Sequence, residues 1–110
     1  MVDGGESRRA ALEELQARAT LGREILLRPI ASDGDLATAQ QARVEWVLRN
    51  KRLLQQLFGE AASQVRFSPA APTEMPLKPK LEDHVREFQN QMIAGITDLD
   101  RLIQALGQVP

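Results

Sequence analysis

A chain of 110 residues with 43% hydrophobic content and a formal net charge of −1 is long enough for one core, and it is neither a disordered polyelectrolyte nor a polycation built for nucleic acid. Cysteine is absent, which excludes a disulfide framework, a thiolate metal site and a cysteine nucleophile. The start, Met1 to Glu6, lacks the basic and apolar runs of a signal peptide, and no stretch reaches the ~20 apolar residues of a bilayer span, so a cytoplasmic protein without membrane contact is expected.

Leu, Ala, Gln, Arg and Glu dominate, a helix-forming vocabulary. Residues 1–5 are expected to be flexible, and a first helix is predicted over 6–28. Within it Leu12, Leu15, Ala19, Gly22 and Leu26 recur at alternating steps of three and four, the spacing that lines one helix face. Glu13, Glu14, Arg18 and Arg23 fall mainly elsewhere. Pro29 ends the segment, because it lacks an amide hydrogen and crowds the preceding turn. A glycine inside a helix is disfavoured by about 1 kcal/mol relative to Ala. Gly22 therefore marks either close approach of a neighbouring helix or a tolerated accident.

Ser32-Asp33-Gly34-Asp35 reads as a turn and helix start, since Ser and Asp accept free first-turn amides and acids suit the positive end of the helix dipole. The second helix is predicted over 35–58. One stripe holds Leu36, Ala39, Arg43, Trp46, Asn50, Leu53 and Leu57, and an adjoining one holds Val44, Val47, Leu54 and Phe58. Gly59 is placed to stop it with a left-handed cap. Ala61 to Phe67 is read as a short helical turn. Four prolines between Ser68 and Pro79 make 68–79 an extended connection, long enough in reach to return along the preceding helix. The third helix is predicted over 80–106, with Leu81, Val85, Phe88, Met92, Ile96, Leu99, Ile103 and Leu106 as its face. The expected architecture is a single all-α domain, an up-and-down three-helix bundle.

Candidate chemistry is sparse. His84 is the sole histidine, and one imidazole with Glu87 nearby is too little for a metal site, so a surface or boundary position is expected. Ser7, Ser32, Ser63 and Ser68 sit near helix ends or loops, where capping explains them. No glycine-rich phosphate loop occurs, so no enzyme activity, cofactor or metal is expected. One Trp, three Phe and no Tyr are too few for a stacking platform on nucleic acid. Arg43, Arg49, Lys51 and Arg52 are read as a solvated face, partly paired with acids of the third helix.

Four residues are candidates for interaction: Arg43, Trp46, Asn50 and Phe58. Arg43 and Asn50 interrupt the apolar stripe one heptad apart. Buried polar residues of this kind fix register or partner number in helical assemblies. The alternative, taken as the expectation, runs the core axis through Val44, Val47 and Leu54 and leaves both at the bundle edge. Trp46 is either an interface anchor or, as expected from its neighbours Val44 and Val47, a core residue.

The segment Leu12 to Phe67, through Leu12-Glu13-Glu14-Leu15, Gly22-Arg23-Glu24-Ile25-Leu26-Leu27, Glu45-Trp46, Leu53-Leu54-Gln55-Gln56-Leu57-Phe58-Gly59 and Phe67, resembles small N-terminal helical modules that precede TIR-like or other effector domains in bacterial defence-type proteins. The resemblance implies protein contact, oligomerisation or sensing, with chemistry in a downstream domain. It names no functional residue. The chain is thus expected to be a non-catalytic interaction or oligomerisation module, either the N-terminal part of a larger effector or signalling protein or a free-standing relative. Its partner is expected to be a second copy, giving a homodimer, or an adjacent domain. The alternative function is a regulatory bundle that binds a small apolar or anionic ligand near Arg43 and Asn50.

Overall fold

A computed structural model of the chain describes residues 4–59 and 75–108. It consists of three helices, α1 (Gly4–Leu26), α2 (Asp33–Phe58) and α3 (Leu81–Gln108), and no strand occurs among the described residues. The expected three-helix bundle is therefore the fold. The turn expected over Ala61 to Phe67 and the connection as far as Glu74 lie outside the described residues. Gly4 and Gly5, expected in a flexible start, are the first two residues of α1.

The termini of the helices follow side-chain chemistry. Ser32 caps α2 by accepting the Asp35 amide at 3.1 Å, and Asp35 reaches back to accept the Ala31 amide at 3.0 Å. Gly59 ends α2 at φ 58°, and its amide donates to the Gln55 carbonyl. A side chain at that φ would be strained. At the start of α3, Asp83 accepts the Lys80 amide at 2.8 Å and also a guanidinium N–H from Arg86. Acids in the first turns of α2 and α3 complement their helix dipoles.

The core draws on all three helices. Leu15, Ala19 and Ile25 from α1, Ala39, Trp46, Leu53 and Leu54 from α2, and Phe88, Met92, Ile96 and Leu99 from α3 form one buried cluster. On α3 the four central residues of the expected face are buried, and Leu81, Val85, Ile103 and Leu106 toward its ends are half-buried. On α1 the buried face is rotated slightly from the expected one: Ala11 and Ile25 are inside, and Leu12 and Leu26 are half-exposed.

Cross-helix contacts fix the directions. Arg18 meets Asn50, and Arg28 shares a cleft with Ala42, so α1 runs antiparallel to α2. Arg23 meets Asp100, and Leu27 shares a groove with Ile93, so α1 is also antiparallel to α3. It follows that α2 and α3 run the same way, whereas a strict up-and-down order would alternate them. The long proline-containing connection permits this, because Gly59 and Lys80 sit at opposite ends of the two parallel helices. Of its two neighbours, α1 packs more extensively on α3.

Candidate functional site

Arg18, Trp46 and Asn50 interlock α1 with α2. The Trp46 indole N–H donates to the Arg18 carbonyl at 2.8 Å, and an Arg18 Nη2–H donates to the Trp46 carbonyl at 3.1 Å. The Arg18 Nε–H donates to Asn50 Oδ1 at 2.6 Å. The indole lies against Gly22: a Cβ there would sit 2.6 Å from Trp46 Cζ2 and 3.0 Å from Ile96 Cγ1. Gly22 is thus a site of close helix approach. Trp46, at 1% exposure, is a core residue as expected.

Asn50 is 0% exposed, and its Nδ2 has no hydrogen-bond partner. The expected axis through Val44, Val47 and Leu54, with Asn50 at the edge, is therefore corrected: Val44 is 46% exposed, and Asn50 is inside. The physical reason is Arg18, which crosses from α1 and supplies the charge-assisted bond that makes a buried amide tolerable. Arg43, by contrast, is half-buried at the margin and donates from Nε to Gln40 Oε1 at 2.9 Å on its own helix. Phe58 is half-buried against the core beside the C-cap. The four candidates are therefore not gathered into one patch.

A cleft of about 170 Å³ opens between α1 and α2. Its apolar lining is Leu21, Ile25, Ala42 and Trp46, and its charged lining is Arg18, Arg28, Arg49 and Glu45. No ion pair among the described residues involves any of these four charged groups. Burial, and secondarily the charge of Arg49, push the Arg18 guanidinium below its ordinary pKa. Arg49, Lys51 and Arg52 are exposed, and the expected pairing with acids of the third helix does not occur among the described residues. Asp100 is instead taken by Arg23 of α1 at 2.8 Å.

A second hollow, a groove of about 330 Å³, lies between the end of α1 and the middle of α3. Leu26, Leu27, Ile93, Ile96 and Thr97 line it, with Arg23 at one side. Leu27 is 78% and Ile93 49% exposed. His84 is half-buried on the first turn of α3. Among the described residues no three His, Cys, Asp or Glu side chains converge as metal ligands, and no helix is long and apolar enough to cross a membrane.

Arg18, expected off the apolar face of α1, is half-buried on its seam with α2. Ala11, Leu15, Arg18, Gly22 and Ile25 step by four, three, four and three, which puts this one charged residue in line with apolar and small ones. No family model matches the chain, and comparison with curated proteins and with solved structures finds no match.

Proposed function

We propose that this chain is a non-catalytic helical module that works by protein contact, with a second copy of itself as its partner. The observation that carries the reading is the groove at Leu26, Leu27, Ile93 and Ile96, where large apolar side chains from two helices converge on solvent. Contiguous apolar surface of this kind is costly to leave in water and is a recurrent mark of interaction sites. Its border carries both signs of charge, since Arg23 and Asp100 pair at 2.8 Å with 48% and 42% of their side-chain surface still exposed. A twofold axis in the interface that crosses the Arg23–Asp100 line at right angles, between the two charges, sets each sign of one copy against the other sign of its mate. The resemblance of Leu12 to Phe67 to modules that precede effector domains supports the same reading and extends it to a bacterial, defence-associated role.

Light scattering over a roughly hundredfold concentration range tests it through mass action. The mass is expected to rise from one chain to two, and Leu27→Glu with Ile93→Glu is expected to hold the protein monomeric with its helix content intact. A wild-type chain that stays monomeric throughout would refute the reading.

A further inference from the structure

We infer that the cleft between α1 and α2 binds a small oxyanion, phosphate or carboxylate, carried on a short apolar stem. Arg18, Arg28 and Arg49 line the cleft with a single acid, Glu45, and none of the four is ion-paired among the described residues. The chain as a whole carries a net charge of −1, so this excess of positive charge is local to the cleft and does not belong to a generally basic surface.

Arg18 is already fixed in place. A guanidinium has five N–H donors, and Asn50 and the Trp46 carbonyl take two of them, which leaves three for a ligand. Holding the side chain from behind removes the entropy of ordering it on binding, and the planar fork of donors suits two oxygens of one oxyanion. The buried Asn50 thereby acquires a purpose: its Oδ1 positions Arg18, at the expense of an unpartnered Nδ2. Burial together with the nearby charge of Arg49 disfavours the protonated Arg18, and an anion between the two cations would reverse that penalty. Leu21, Ile25, Ala42 and Trp46 supply an apolar wall for the stem. The volume of about 170 Å³ is several times the ~30 Å³ share of a water molecule and below the ~300 Å³ of sites for larger ligands, which limits the stem to a few carbons.

The site goes beyond the contact function and stands apart from it, because the cleft lies between α1 and α2 and the groove between α1 and α3. The test is titration of the full chain with inorganic phosphate, butyl phosphate, acetate and butyrate at constant ionic strength, read by Trp46 fluorescence and the thermal midpoint. Saturable binding is expected, with the butyl compounds about ten-fold or more tighter than their stemless counterparts, since each buried methylene adds to affinity. Arg49→Gln is expected to weaken binding about ten-fold through loss of one charge-assisted contact, while the ligand-free midpoint holds or rises because a repulsion on Arg18 is gone. Arg52→Gln, on the exposed part of α2 and in neither hollow, is expected to leave binding unchanged. Absence of saturation, no preference for the stem, or an unaltered response in Arg49→Gln would each overturn the inference, and none of these readouts depends on the mass measured for self-association.

Discussion

Arg18 and Asn50 are the two side chains whose seam position and polarity conflict, and each explains the other. Truncating Arg18 strands the buried Asn50 Oδ1, which its Nε–H satisfies at 2.6 Å; the Trp46 carbonyl also loses its 3.1 Å bond from Arg18 but keeps its place in the helix ladder. Leaving buried acceptors unsatisfied costs about 1–3 kcal/mol. Arg18→Met is therefore expected to lower unfolding stability by that amount. Replacing both members of a buried polar pair by apolar side chains is often neutral or stabilising, so Arg18→Met with Asn50→Leu is expected to recover most of the loss. Urea denaturation of the two single variants and the double variant gives the coupling directly. Additive losses would show that the two residues do not act as a pair. A stable double variant that no longer binds the oxyanion would separate the role of this pair in the cleft from any role in the core.

At the level of elements, the approach of α1 to α2 and α3 is set by the missing side chain of Gly22. Two effects oppose each other in Gly22→Ala. Helix propensity favours Ala by about 1 kcal/mol, but the new Cβ would fall 2.6 Å from Trp46 Cζ2 and 3.0 Å from Ile96 Cγ1. Trp46 cannot retreat freely, since its indole N–H is tied to the Arg18 carbonyl at 2.8 Å. Overpacking of this kind typically costs about 1–3 kcal/mol, so a net destabilisation is expected, with altered Trp46 near-ultraviolet dichroism. An unchanged or higher denaturation midpoint would mean that the helices part at little cost. The helix ends are governed by more local rules: Ser32, Gly59 and Asp83 each satisfy or position nearby backbone amides, and the turn and cap residues before Leu36 and after Phe58 announce α2 in the sequence.

Across the whole molecule, the parallel course of α2 and α3 is the feature with the clearest metric consequence. Trp46 and Ile96 flank Gly22 together and so lie at one level of the bundle. With a rise of 1.5 Å per residue, exposed positions Gln56 and Gln104 are expected at nearly the same height, and Gln56 and Glu82 about 36 Å apart along the axis. Spin labels at those pairs, with distances read by pulsed dipolar spectroscopy, distinguish the two threadings. A short Gln56 to Glu82 distance would restore the alternating order. The same threading positions the proposed sites, because α1, antiparallel to both partners, forms the arginine cleft on one side and the apolar groove on the other.

Sequence alone determined the three helices, most of their ends and the α3 face, because helix periodicity, prolines, glycines and caps act within a few residues of the chain. It also marked Gly22 as unusual and Trp46 as core. Only the tertiary structure decided that Asn50 is inside and Val44 outside, that Arg23 rather than an α2 cation takes Asp100, and that Arg18, Arg28 and Arg49 share a cleft. Those outcomes depend on how each helix is rotated and in which direction α3 runs, and both are fixed by contacts between side chains tens of residues apart, to which a local pattern is blind.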